Sequence, residues 1–213
     1  MTAPSVLHQP RTLIDLIPRP ADRTMAITRD IAFVVGFACL TAAAAQIRFN
    51  LSFTPVPLSG QTFAVLLAGT TLGFRRGIAS QALYWVAGIF MPIAWYADDS
   101  SGSSISQGWN IATGTTFGYF MGFVAAAAVV GYLAERGQDR EFATSLPAML
   151  AGSAVIYVFG AAWLAYDLNI PLAAGDTNAI ELGVTPFLIG DLIKLAIAGV
   201  LAPVAWKFAN SRR

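Results

Sequence analysis

The sequence predicts an all-α integral membrane protein with six transmembrane helices and both termini cytoplasmic, and three observations predict it. Of the 213 residues, 56% are hydrophobic and only 12% are charged, with a mean hydropathy of +0.61. A soluble domain devotes about a quarter of its residues to charge. Half that share cannot cover a body of this size with polar surface, but it suits one surrounded by lipid. The second observation is a series of six apolar runs. The third is that eleven of the thirteen Lys and Arg residues fall on one side of the map those runs define.

A membrane-spanning helix needs roughly 20 mostly apolar residues. The first run, 27–47, meets this with only Arg29 and Asp30 at its entrance. Pro55 and Pro57 then impose an extended entry to a second run, 58–74, and a tight GFRRG turn leads to a third, 78–96. These two runs are short and punctuated by glycine, so each alone fits a tilted or partly re-entrant segment as well as a span; the favoured reading is two helices joined by a tight cytoplasmic turn. Residues 97–112 are polar, Ser/Gly-rich and turn-forming. A fourth run covers 113–134, a fifth 146–168, and a sixth 186–208 opens on Pro186, whose missing N–H is not needed in a first turn. The transmembrane domain therefore spans 25–208, between a flexible cytoplasmic tail at 1–24 and a short cytoplasmic tail at 209–213. The first tail contains four prolines and no continuous apolar stretch, unlike a signal peptide.

Charge tests this layout. With six spans, Arg11, Arg19, Arg23, Arg29, Arg75, Arg76, Arg136, Arg140, Lys207, Arg212 and Arg213 share one side, opposite Arg48 alone, with Lys194 inside a span. Basic residues near membrane ends stay cytoplasmic. Asp98, Asp99, Asp167, Asp176 and Glu181 then face outward. Deleting one span would divide the basic residues between the two sides.

Several functions are disfavoured. A net charge of +1 with no basic stripe leaves no surface for nucleic acid. One cysteine, Cys39, allows no intrachain disulfide, and one histidine, His8, disfavours a histidine-based metal or catalytic centre. No cofactor, metal site or catalytic residue is expected, and the chain reads as a non-enzyme. It lacks the GxxxxGK[ST] phosphate loop, so energy from ATP by that route must come from partners.

What stands out is Asp191 with Lys194 in the last run. A lone Asp or Lys at a membrane helix centre costs about 2.5–3.5 kcal/mol. The two lie five and eight residues past Pro186, roughly 8–12 Å below the helix start, and their i, i+3 spacing puts them on one face. Such a pair either braces the bundle or lines a ligand cavity; intramembrane ionisable residues usually do the second. Gln61 lies toward the same side, with an amide that both donates and accepts, as do Trp95, Tyr96 and Trp109 of the 95–110 stretch at the end of the third run. Ala38 and Ala42 on the first helix have small-xxx-small spacing, which permits close approach of another helix, internal or foreign.

The segment TAAAAQIRFNLSFTPVPLSGQTFAVLLAGTTLGFRRG resembles the N-terminal signature of the BioY family, and ALYWVAGIFMP, TGTTFGYFMGF, IYVFGAAWL and TPFLIGDLIK follow in that family's order and spacing, over residues 27–208. These are the biotin-binding S components of energy-coupling factor (ECF) transporters. The resemblance implies an S-component bundle of six helices in the cell membrane and a high-affinity, outward-facing biotin pocket. It also implies delivery inward with an ECF transmembrane coupling subunit and two cytoplasmic ATPases. An S component for another small vitamin, or a stand-alone transporter, is the alternative. Matched motif by motif, it brings Gln61, Asp191 and Lys194 into the binding site, with Tyr84, Thr116, Tyr119 and Tyr157 beside them, and gives Ala38 and Ala42 to the docking of the coupling subunit; Trp95 joins the site from its own place among the loop aromatics, which suit a lid over a pocket. Two departures stand out: GTTFGY replaces the family's GPTGGY, and DDSS stands where small apolar residues and glycine are more usual.

Overall fold

In the computed structural model, residues 11–91, 93–98, 104–175 and 177–211 are described. The expectations for residues 1–10, Asp99, Asp176, Arg212 and Arg213 fall outside them. Asp22 caps the first helix, α1 (Arg23–Ala45), by accepting from the Met25 amide at 2.8 Å. The chain then forms a two-stranded antiparallel ribbon, β1 (Arg48–Phe49) with β2 (Leu58–Ser59), pairing Arg48 with Ser59. Pro55 and Pro57 fall in the loop between the strands, where no ladder N–H is required of them.

The next helix, α2 (Gln61–Phe90), is a hairpin. At Gly73 the backbone takes φ 80°, ψ −174°, a conformation essentially reserved for glycine, and the helix reverses. In a straight helix Gln61 and Tyr84 would be about 35 Å apart; here the Gln61 amide nitrogen is 2.6 Å from the Tyr84 hydroxyl. The two arms touch through glycine: a Cβ placed on Gly77 would lie 3.3 Å from the Gly69 Cα. The reversal exposes the Phe74 N–H, which donates to Glu135 Oε1 at 2.9 Å. The second and third apolar runs are thus two helices joined by a tight turn at GFRRG.

The sequence reading differs from the structure in four places. The third run stops being helical at Phe90, not at residue 96, because Trp95 and Tyr96 fold back onto the second arm. A short amphipathic helix, α3 (Ile105–Thr113), capped by Ser104, occupies what read as a polar loop. After α4 (Phe117–Glu135) and α5 (Phe142–Asp167), another loop contains α6 (Ala179–Gly183), and Pro186 lies in a 3-10 turn just before α7 (Leu188–Ser211). Finally, within the stretch that read as a flexible tail, residues 11–17 are packed. Thr12 and Ile14 are buried, Arg76 bonds Asp15 at 2.9 Å, and Arg29 donates to the carbonyls of Ile14 and Ile17.

Four helical stretches among the described residues are long and apolar enough to cross a membrane: Arg23–Ala45, Phe117–Glu135, Phe142–Asp167 and Ala179–Ala209. Their outward faces are apolar; Val158 and Ile189 are 67% and 77% exposed, which suits acyl chains and not water. Between helices the packing relies on small residues, as expected where lipid supplies no hydrophobic drive. Ala38 and Ala42 belong to that packing. They are only 1% and 6% exposed, against the α2 hairpin, while Thr41 on the same face bonds Gln81 of the second arm. The expectation that these two alanines meet a partner is corrected: their face of α1 is already occupied, and the exposed small residues are Ala32, Gly36 and Ala43.

The two ends of the bundle differ in charge. At one end the start of α1, the Gly73 reversal, the α4–α5 link and the end of α7 come together. Arg76 bonds Asp30, Phe74 meets Glu135, and Trp206 donates to Asp139 at 2.7 Å. That end carries Arg19, Arg23, Arg29, Arg75, Arg76, Arg136, Arg140 and Lys207. The loops between helices at the other end enclose a cavity.

Candidate functional site

The cavity is walled by the 55–59 segment, the first arm of α2, the 96–98 loop, α3, α4, α5 and the start of α7. Most of the wall is apolar, from Val56, Phe120, Phe123, Ile156 and Phe187. One sector is polar.

That sector is built where α7 begins. The 3-10 turn at Thr185–Phe187 feeds directly into α7, so Asp191 falls in the first helical turn and Lys194 one turn deeper. Lys194 Nζ donates to Asp191 Oδ1 at 2.7 Å, to the Ser59 carbonyl, and to Thr62 Oγ1 at 3.5 Å. Thr62 in turn donates to Asp191 Oδ1 at 3.1 Å, and Tyr157 of α5 donates to Asp191 Oδ2 at 2.6 Å. The aspartate, 6% exposed, is thus held by three helices at once. Buried charges persist only when paired and hydrogen-bonded. The pair braces the bundle and lines the cavity together, so the two sequence readings are not exclusive.

Gln61 is oriented from behind. Its Oε1 accepts from Ser59 Oγ at 2.7 Å, and its Nε2 donates to Tyr84, whose hydroxyl points on to the Trp95 carbonyl at 3.4 Å. Trp95 returns the contact by donating its indole N–H to the Tyr84 carbonyl at 2.7 Å, and Tyr96 donates to the Trp85 carbonyl. Burial pushes the Tyr96 phenol up from its ordinary value, so the hydroxyl remains a donor at any physiological pH. These bonds fasten the 93–98 loop to the second arm of α2.

Of the eight residues expected to touch a ligand, Gln61, Thr116, Tyr119, Tyr157, Asp191 and Lys194 line this one cavity. Tyr84 and Trp95 do not; both are buried one layer behind it, where they position Gln61 and the loop. Trp109 is 56% exposed on α3 and is absent from the wall. Ser59 and Thr62 were missed by sequence reasoning, although they flank Gln61 in SGQT and their hydroxyls were the available signal. Asp98 and the aromatic wall of α4 also carry more of the cavity than the motifs suggested.

Comparison with known proteins agrees in kind. Residues 16–211 match the model of the BioY family. The biotin transporter BioY of Rhizobium etli is 33% identical over 183 residues, covering 82% of this chain and 91% of that one. A probable biotin transporter BioY of Pyrococcus horikoshii is 35% identical over 174 residues, covering 82% and 94%. The one from Thermotoga maritima is 32% identical over 166 residues, covering 78% and 89%. In fold, the chain is similar to the crystal structure of an S-component for biotin from an ECF-type ABC transporter. The TM-score is 0.70 at 19% identity, with 88% of this chain and 95% of that chain covered.

Proposed function

The chain belongs to the BioY family, and on that premise we propose that it is a membrane subunit that captures biotin from outside and delivers it inward as the S component of an ECF transporter. The observation that carries this is the convergence of Asp191, Lys194, Gln61 and Tyr157 on one wall of an otherwise apolar, aromatic cavity. Biotin needs such a cavity. Its ureido ring presents two N–H donors and a carbonyl, its thioether ring needs apolar contact, and its tail is an aliphatic chain. Among the described residues, Asp191 Oδ2 accepts from Tyr157 alone, which leaves a lone pair for a ureido N–H. Holding the carboxylate in place before the ligand arrives lowers the cost of binding.

The basic end of the bundle faces the cytoplasm by the positive-inside rule, which sets both termini inside and opens the cavity outward, in six spans across the cell membrane. The two arms of α2 form the second and third of these. With no phosphate loop of its own, the subunit works with a transmembrane coupling subunit and two cytoplasmic ATPases. Its docking surface on α1 is the exposed face carrying Ala32, Gly36 and Ala43, since Ala38 and Ala42 are buried. The test is equilibrium binding on detergent-purified protein. Biotin binds and raises the unfolding midpoint in proportion to its occupancy, whereas lipoate, which shares the tail and lacks the ureido ring, does neither. Equal stabilisation by both, or by neither, contradicts the assignment.

A further inference from the structure

The hydrogen-bond donors of the cavity wall are almost all committed to the protein. Lys194 has three N–H groups and three acceptors, Asp191 Oδ1, the Ser59 carbonyl and Thr62 Oγ1. The hydroxyls of Thr62 and Tyr157 donate to the two oxygens of Asp191. Those of Tyr119 and Thr116 donate to the carbonyls of Gly183, at 2.6 Å, and Ile111, at 3.2 Å. Tyr96 donates to the Trp85 carbonyl and Ser59 Oγ to Gln61 Oε1. Among the described side chains on the wall, one N–H remains, the second amide hydrogen of Gln61.

The charge points the same way. The one lysine among the described wall residues stands beside Asp191. The lysine is already neutralised 2.7 Å from its partner. A carboxylate taken out of water needs a cation or several donors, and this wall, in its described side chains, leaves neither free. It does supply acceptors, which a ureido ring can use.

From this geometry we infer that the site reads the donor ring of its ligand and leaves the acidic tail unread at the mouth, so that biotin derivatives conjugated through the tail as neutral amides enter the same site as the free acid. The inference rests on the biotin reading above and narrows it to a substrate class: ureido-ring compounds with a free or amide-capped tail. The sequence alone left open which end of the ligand meets the charged pair.

The experiment is calorimetric titration of the full chain in detergent with four compounds: biotin, biotin primary amide, the amide of biotin with the lysine side chain, and biotin methylated on a ureido nitrogen. Both amides are expected to bind within about fivefold of biotin, and the N-methyl compound to bind more than about fivefold more weakly. A larger loss on amidation, with biotin itself still bound, overturns the inference and leaves the biotin assignment intact. An N-methyl compound that binds as well as biotin also overturns it, because the ring donors are then not what the site reads. Failure of all four compounds removes the biotin assignment and the inference with it.

Discussion

Replacing Asp191 by Asn keeps the shape of the side chain and removes its charge. In the wild-type protein that carboxylate accepts from Lys194 at 2.7 Å, Thr62 at 3.1 Å and Tyr157 at 2.6 Å, which uses both oxygens from three directions. An asparagine can offer one oxygen to these donors, while its NH2 faces either the Lys194 ammonium, donor against donor, or the Tyr157 hydroxyl, which must then accept and loses its own acceptor. A hydrogen bond to a charged group contributes about 1.5–3 kcal/mol. If the ligand's ureido N–H uses Asp191 Oδ2, its loss weakens biotin binding about 10- to 150-fold, at 1.4 kcal/mol per factor of ten. The assay is isothermal titration with biotin, run on protein that still elutes as a single species in detergent. The reasoning is refuted by a well-folded Asp191→Asn protein whose biotin affinity is within about threefold of wild type.

Three other outcomes follow from the packing and charge. Ala38→Trp is expected to abolish folding, since that methyl is 1% exposed, whereas Gly36→Trp, with open space beside it, should fold, bind biotin and fail to co-purify with a coupling subunit; thermal unfolding and co-purification separate the two. Gly73→Ala should cost about 1–3 kcal/mol and sharply lower the unfolding midpoint, because φ is 80° and a Cβ there would lie 2.6 Å from Glu135 Oε1 and 2.9 Å from Thr12 Cγ2. Burial holds the Asp139 carboxyl above its ordinary 3.8, against the bond from Trp206, and one of its oxygens has no partner. A raised folded pKa means that its contribution to stability is present below 3.8 and is lost as pH rises through the folded value. Asp139→Asn should therefore flatten that part of the stability–pH profile in unfolding scans. Asp15 does not mask the effect. Burial is the largest single effect and raises its pKa, but the bond and charge of Arg76 and the two bonds from Thr12 together outweigh it, so its pKa is lowered and its contribution fades only in acid below 3.8.

The helical framework was legible because lipid imposes simple demands: long apolar runs, and basic residues gathered at one end. The reversal was legible from the GFRRG turn between two short apolar runs. The pair Asp191–Lys194 announced itself because charge in an apolar run is conspicuous. Positions set by folding-back were not legible. Nothing in the ALYW segment says that Tyr84 points behind the cavity wall rather than into it, since that depends on the 93–98 loop returning to the second arm. Nor does alanine spacing on α1 tell an internal seam from a foreign one; Ala38 and Ala42 face Gln81 and its arm because Thr41, between them, finds its polar partner there. Residues 11–17 read either as a short amphipathic turn or as flexible tail, and their packing was not legible because its anchors, Asp15–Arg76 and Arg29 to two carbonyls, join residues far apart in the chain.

The most direct measurement is a structure of the protein with biotin bound. The ureido ring should sit against the polar wall, with an N–H within about 3.2 Å of Asp191 Oδ2, the fused rings against Phe120 and Phe123, and the tail directed toward the mouth. Biotin bound elsewhere, or bound here with its carboxylate on Lys194 and its ring turned away from Asp191, would contradict the role given to this pair.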